Sequence, residues 1–389
     1  MSLFDPSPYQ KGLVDEAARL ADEVLRPRAD KVDADAAFPT EGFAALAKAG
    51  FYGLRIPERW GGRGADNRTA VMVIERLARA CGSTAMCFKM HCESIEPLWR
   101  LGNPDQIEAF VKPIAAGKLL STSAISESGT GSHTWVMQSY ATKSGNDYEL
   151  SEVHKGWVTS SGHADLYFAP VLHDKAAGAG NYTAFMVEKA KVGWTIDAPW
   201  NGHGMRANAS SPMTFKGKLS AARHRLGEEG GWQKQVFPIF MPFSMLTFAA
   251  VYLGIAEGAF EEAIAHVTGR KYGDTGSNLA KLDGIQRYIG EMRLSLDRTR
   301  AFVMAVAGQL DDTGAADPRH LIETVCAADE TALEVTRIAM NIGGGKSYAG
   351  ANPLGRYMRD AQAGSVMAPT DDIVKLRVGR LIVGLPQFG

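Results

Sequence analysis

The sequence predicts an α+β chain of three units, and three observations carry that prediction. Residues 1–118 place apolar side chains at helical spacing. Residues 119–232 change to short runs rich in β-branched and aromatic residues, separated by Gly, Asn, Asp and Ser. From residue 233 to residue 389 the helical spacing returns. Helices, then a small antiparallel β domain, then long helices make an α+β order, and 389 residues suffice for two or three domains.

Taken in order, Leu13, Ala17, Leu20, Val24 and Leu25 form the first apolar stripe. Pro39-Thr40-Glu41 reads as a helix start with Thr40 as N-cap, and Gly50 sits where that helix should stop. Val71, Ile74, Leu77 and Ala78 mark a further helix. The strand candidates are 148–150, 166–172, 183–187 and 193–196. Phe237 to Ala256 is the longest apolar stretch, but Pro238, Pro242 and Gly254 interrupt it, so it reads as a buried helix rather than a membrane span. Ile255, Ala259, Ala263 and Val267 lie on one face of its continuation. Leu321, Val325, Ala328 and Leu333 outline another long helix.

Composition excludes several function classes. The net charge is −1, with 42 basic and 43 acidic residues and no basic stripe, so neither nucleic acid nor an anionic membrane surface is an expected partner. Four cysteines in this length make no disulfide framework and suit a reducing cytoplasm. Residues 1–10 lack a basic segment followed by an apolar one, so no signal peptide is expected. Cys87, His91 and Cys92 cluster on one helix, but Cys92 points away from the other two and no second ligand pair exists at metal spacing, so no metal is expected.

Two small-residue segments can carry chemistry. Gly343-Gly344-Gly345 lets a backbone approach a phosphate, or simply ends a helix. No strand precedes it and GxGxxG is absent, which argues against a Rossmann site. Ser126-Glu127-Ser128-Gly129-Thr130-Gly131-Ser132 is rich in hydroxyls and backbone donors, suited to a diphosphate or a flavin edge, or equally to a surface turn. Lys89 and Glu93 are four apart and can pair. Asp371 and Asp372 follow Thr370 where a helix begins, a position that favours acidic residues through the helix dipole.

Together these segments resemble the acyl-CoA dehydrogenase superfamily over nearly the whole chain. Ile56 to Gly62 is similar to its N-terminal signature, Ser126 to Ser132 to its TEPGAGS loop, and Lys155-Gly156-Trp157-Val158-Thr159-Ser160 to its K-x-W-I-T-N strand. Gly204-Met205-Arg206 is similar to its G-M-R turn, and Gly344-Gly345 with Arg359-Asp360-Ala361 to its C-terminal GG…RDA pair. The resemblance implies an N-terminal helical domain, a middle β barrel and a C-terminal four-helix bundle, assembled as a homotetramer or homodimer around FAD. It implies that Ile125, Ser126 and Thr159 hold the flavin ring, that Trp157 covers one ring face, and that Ser132 approaches the diphosphate. Arg270, Gly344 and Gly345 would reach FAD from another subunit, and Thr370 would meet the flavin beside the substrate.

The sequence departs from the family at the base. In most members a glutamate in Y-E-G-T takes the substrate's α-proton; here the stretch reads Met367-Ala368-Pro369-Thr370. Some members carry the base on the first long bundle helix, and the matching residue is Ser244, with Met245 where an arginine is usual. Ala368 keeps only a backbone N–H, which still serves as an oxyanion donor. Asp371, Glu93 and His163 are the substitute bases to consider, Asp371 first because it stands one helical turn from Ala368. Lys89, Glu93 and Ser244 are expected at the substrate pocket. The expected activity is an atypical FAD-dependent oxidation of a CoA thioester or similar acid, using O₂ or a substrate with an acidified α-proton. The alternatives are a monooxygenase on a substrate lacking CoA and a non-catalytic binding protein.

Overall fold

The computed structural model describes residues 6–130, 136–174, 181–349, 352–367 and 369–386. The N-terminal unit contains α1 (Pro8–Leu20), α2 (Arg26–Ala34), α3 (Thr40–Lys48), α4 (Asn67–Ala80), α5 (Gly82–Leu101) and the short α6 (Pro104–Gln106) and α7 (Lys112–Ala115). The strands are β1 (Ser121–Ser123), β2 (Thr142–Ser144), β3 (Asp147–Val158), β4 (Leu166–Leu172), β5 (Tyr182–Glu188), β6 (Gly193–Ile196), β7 (Ser211–Ser220) and β8 (Arg225–Leu226), with the one-turn α8 (Ala221–His224) before β8. The bundle contains α9 (Phe237–Gly269), α10 (Asp283–Thr313), α11 (Pro318–Tyr348), α12 (Pro353–Val366) and α13 (Asp371–Ile382).

The expected apolar stripes face inward. Leu13, Ala17 and Leu25 are buried, as are Val71, Ile74, Leu77 and Ala78 of α4. A π-helical turn at Ala21–Leu25 joins α1 to α2, which a plain 3.6-residue reading does not anticipate. Thr40 is not the N-cap of α3. It is the first helical residue after Pro39, and its hydroxyl turns back to the Phe38 carbonyl at 3.4 Å. Gly50 does end the segment, with φ 75°, a conformation that only glycine adopts without strain.

The middle unit is built from two four-stranded sheets, ordered β1-β4-β5-β8 and β2-β3-β7-β6. The four strand candidates all fall within β3, β4, β5 and β6. The expectation of an antiparallel domain needs one correction: β1 pairs β4 in parallel, Ser121 opposite Leu166. A parallel pair needs a long crossover, and here β2 and β3 supply it.

Helix α9 is the axis of the molecule. It packs against α4, α5, α10, α11 and α12. Its residues 243–259 are buried without a break, so it is apolar on every side, as a central helix must be. The helical stretch Trp232–Gly269 is long and apolar enough to cross a membrane, contrary to the sequence estimate, but 83% of its most apolar window is buried inside the protein. Pro242 inside α9 removes one backbone donor. Ile255, Ala259, Ala263 and Val267 are all buried. In α11 the helix breaks at Gly344, φ 56° and ψ −148°, so the glycine run forms a kink near a helix end.

Candidate active site

A cavity of about 1450 Å³ opens where the three units meet. Its wall takes Met90 and Glu93 from α5, Ile125 and Ser126 from the loop after β1, Trp157 from β3 and Ser244 from α9. Thr159, just past β3, and Thr370, at the start of α13, complete the set. Seven of the residues singled out from sequence therefore share one chamber.

The loop at Ile125 to Thr130 is held by a clamp that the motifs hide. Lys155, fully buried on β3, donates to Glu127 Oε1 at 2.7 Å and to the Pro170 carbonyl at 2.8 Å. The other Glu127 oxygen accepts the N–H groups of Gln138 at 2.6 Å and Ser139 at 2.9 Å. Burial pushes the Glu127 carboxyl up, but Lys155 and the two backbone donors outweigh it and hold it below the usual range. Burial lowers the Lys155 ammonium despite Glu127. The Gly156 N–H donates to the Ser126 carbonyl at 2.8 Å, so β3 and the loop run side by side. A Cβ on Gly156 would press on Ser128 N at 3.1 Å. The glutamate of SESGTGS and the lysine of K-x-W thus position the wall.

A second clamp joins the G-M-R turn to the RDA segment. Asp360 is buried and accepts the Met205 N–H at 2.7 Å, while Met205 sits at φ 49°. Burial raises the Asp360 carboxyl to about 6, against the pull of Arg356. A Cβ on Gly204 would fall inside the Arg359 carbonyl, so this crossing requires glycine. Arg359 in turn pairs with Asp33 at 2.5 Å.

The residues present fit a large planar, polar-edged group. Trp157 is 61% exposed, an unusual placement for an indole, and stands edge-on to Trp200 at 6.1 Å. Thr159 Oγ1 meets Ser210 Oγ at 2.9 Å, and the Thr122 hydroxyl fixes the Thr159 carbonyl at 2.7 Å. Ser123 Oγ and Asn208 Oδ1 are buried in the wall with no hydrogen-bond partner among the described residues. Buried polar atoms without a partner are costly, and a bound ligand is one way to satisfy them. Neither residue stood out from sequence, because no motif spacing marks them.

Toward the inner end lies an ion pair. Lys89 on α5 bonds Glu93, donates to Ser244 Oγ at 3.1 Å, and lies over the Phe248 ring at 3.1 Å from its centre. Lys89 is fully buried, and desolvation brings its ammonium down to about 8 although Glu93 opposes this. Glu93 and Ser244 line the cavity; Lys89 stands behind them.

Other expected residues lie elsewhere. Asp371 is not in the wall: it stands with Cys326 and Glu330, ligand-type atoms all within 4.8 Å of one another. Beside it burial, and then Asp371 itself, raise the Asp329 carboxyl to about 8. His163 stacks on Phe38 at 4.2 Å, outside the wall. Arg270 caps the end of α9, and Arg270, Gly344 and Gly345 are exposed and do not line the cavity of their own chain. Ser132 and Ala368 fall outside the described residues.

Three family models match in succession: acyl-CoA dehydrogenase N-terminal domain over residues 7–118, middle domain over 122–217 and C-terminal domain over 240–383. Among curated proteins, the chain is 28% identical over 365 residues to the probable acyl-CoA dehydrogenase FadE25 of Mycobacterium tuberculosis, covering 94% of this chain and 92% of that one. Among solved structures, it superposes on butyryl-CoA dehydrogenase from Megasphaera elsdenii with a TM-score of 0.91 at 25% identity, covering 98% of this chain and 100% of that one. It superposes on the prolyl acyl carrier protein oxidase AnaB with a TM-score of 0.88, also at 25% identity and the same coverage. Matches to all three domains, in order and on the observed fold, place the chain in the acyl-CoA dehydrogenase superfamily.

Proposed function

We propose that this protein is an FAD-dependent oxidoreductase acting on a CoA thioester or similarly activated acid whose α-proton is already acidified, with O₂ as the electron acceptor. The observation that carries the reading is Ser244. It lies in the cavity wall, bonded to Lys89, at one of the two positions where a family base is expected. The other is Ala368, whose side chain accepts no proton. Neither family base position holds a carboxylate, so a substrate whose α-proton is already acidified suits this arrangement better than an unactivated acyl group. The likeness to an acyl carrier protein oxidase supports use of O₂.

FAD, when bound, supplies a two-electron acceptor. In this reading Trp157 covers the flavin face, Ile125, Ser126, Thr159 and Thr370 hold its ring, Ser132 meets the diphosphate, and Ser123 and Asn208 contribute the polar atoms that have no partner among the described residues. The Ala368 N–H polarises the thioester carbonyl. Arg270, Gly344 and Gly345 are exposed on their own chain and meet FAD of a neighbouring subunit, which makes the protein a homodimer or homotetramer joined through the bundle.

The test is colour and oxygen. Purified protein should be yellow, hold one FAD per chain, and consume O₂ when offered an acidified thioester. A yellow protein that ignores every thioester but consumes O₂ with reduced flavin is instead a monooxygenase on a substrate lacking CoA, and a colourless protein that no added FAD can reconstitute is a binding scaffold.

A further inference from the structure

We infer that Glu93 is the proton acceptor of this site: a carboxylate supplied by α5 that stands beside Ser244 and reaches the carbon next to the thioester carbonyl. The inference rests on the thioester reading above and adds the residue that reading lacks.

Elimination carries the first half. Four described carboxylates line the cavity: Asp30, Asp33, Glu93 and Glu127. Three of them have structural work. Asp30 binds Arg356 at 2.9 Å and Asp33 binds Arg359 at 2.5 Å, both tying α2 to α12. Glu127 is saturated by Lys155 and two backbone N–H groups. Among these four, Glu93 is the one whose bonded partner, Lys89, lies on its own helix, so it ties no two elements together.

Proximity carries the second half. Lys89 Nζ touches both the Glu93 carboxylate and Ser244 Oγ, so one ammonium spans the two groups. The carboxylate therefore stands one side chain away from the α9 position that holds a serine. Burying a lysine and a glutamate together in an apolar wall of Met90, Met245 and Phe248 costs desolvation that hydrophobic residues would avoid. A chemical role accounts for keeping the pair. Lys89 is then a positioning residue, holding the carboxylate in place beside Ser244.

The step balances without an oxidant. The C–H bond next to the carbonyl breaks, its proton forms an O–H bond on Glu93, and the electron pair moves onto the thioester oxygen as an enolate. The later transfer of electrons to FAD is separate, which allows the proton step to be read alone.

The experiment measures that step by hydrogen exchange. FAD-loaded protein is incubated in D₂O with phenylacetyl-CoA, whose hydrogens next to the carbonyl are acidified by the ring and which has no β-hydrogen to transfer, and deuterium in the acyl group is counted by mass spectrometry. Wild type should exchange above the protein-free rate. Glu93→Gln should lower that exchange by about 10²–10⁴-fold while keeping its FAD. The relocated carboxylate, Ser244→Glu in the Glu93→Gln background, should recover part of the loss, which a merely structural role for Glu93 does not allow. Should Glu93→Gln lose FAD or fail to fold, Glu93→Asp supplies the comparison, with exchange reduced and FAD retained. Undiminished exchange in a well-folded Glu93 variant overturns the inference, and so does absence of exchange in wild type. The thioester reading is judged separately by O₂ uptake, so either can fail alone.

Discussion

Lys155→Met should break the wall of the proposed flavin site from a distance. Lys155 is fully buried and Glu127 retains 5% side-chain exposure, so the substitution leaves a carboxylate in the interior with no cation. Removing one partner of a buried pair typically costs about 3–5 kcal/mol. Here two backbone N–H bonds to Glu127, at 2.6 and 2.9 Å, remain and soften the loss, which places the expectation near the lower figure, about 3 kcal/mol. The lost bond to the Pro170 carbonyl at 2.8 Å adds about 1 kcal/mol. Adding Glu127→Gln should recover part of this, because the amide carries no charge and its oxygen still accepts from the backbone. The pair also sets a pH window. Glu127 lies below its ordinary value in the folded state, so its contribution is present above about pH 4.5 and lost as pH falls through the lower, folded value. The assay is denaturant unfolding followed by circular dichroism at neutral and acidic pH, with FAD retention measured on the same samples. The reasoning is refuted if Lys155→Met is as stable as wild type, or if the double variant is less stable than the single one.

Four further outcomes follow from the same geometry. Trp157→Ala should weaken FAD retention while changing stability by no more than about 0.5 kcal/mol, since the indole is 61% exposed; equilibrium dialysis and thermal melts of the apoprotein check the two halves. Gly204→Ala should destabilise by about 1–3 kcal/mol, because its Cβ meets the Arg359 carbonyl and the crossing must shift; unfolding curves at neutral pH measure it. Asp329, with its carboxyl raised to about 8 by burial and by Asp371, penalises the folded state increasingly as pH rises from about 4 to about 8. Asp329→Asn should remove that decline, visible as a flatter stability profile between pH 5 and 8. Arg270→Ala should lower FAD occupancy and the mass seen by light scattering together; a fully loaded monomer would contradict the shared site.

How far these features could be read from sequence depends on how local their cause is. Gly50, the stripes of α4 and α9, and the runs that became β4 and β6 follow from neighbours within a few residues, and each was legible. The Lys89–Glu93 pair was legible too, because four residues is one helical turn. Thr40 misled because α3 begins one residue early: Pro39 takes the N-cap position without a side-chain cap bond, and the threonine is already the first helical residue. The parallel pairing of β1 with β4 depends on a long crossover, and nothing near Ser121 announces it. The candidate site divides in the same way. Ile125, Ser126, Trp157, Thr159 and Thr370 could be located because family motifs surround them. The clamps that hold them, Lys155 with Glu127 and Met205 with Asp360, join residues 28 and 155 apart. Asp371 ranked first as a substitute base because it is close to Ala368 in sequence, but the first turn of α13 turns it toward Cys326 and Glu330 instead of the cavity. Glu93, expected from sequence at the pocket and among the substitute bases, is linked to the α9 position through Lys89, a connection 155 residues long that sequence does not show.

The most direct test of the central claim is anaerobic stopped-flow reduction of the FAD-loaded protein by paired thioesters, followed at the flavin absorbance band. Thioesters with an acidified α-proton should bleach the flavin, and butyryl-, octanoyl- and isovaleryl-CoA should do so about 10²-fold more slowly or not at all. Rapid bleaching by any of those three saturated esters would contradict the claim, since it would mean that this site removes an unactivated proton as an ordinary dehydrogenase does.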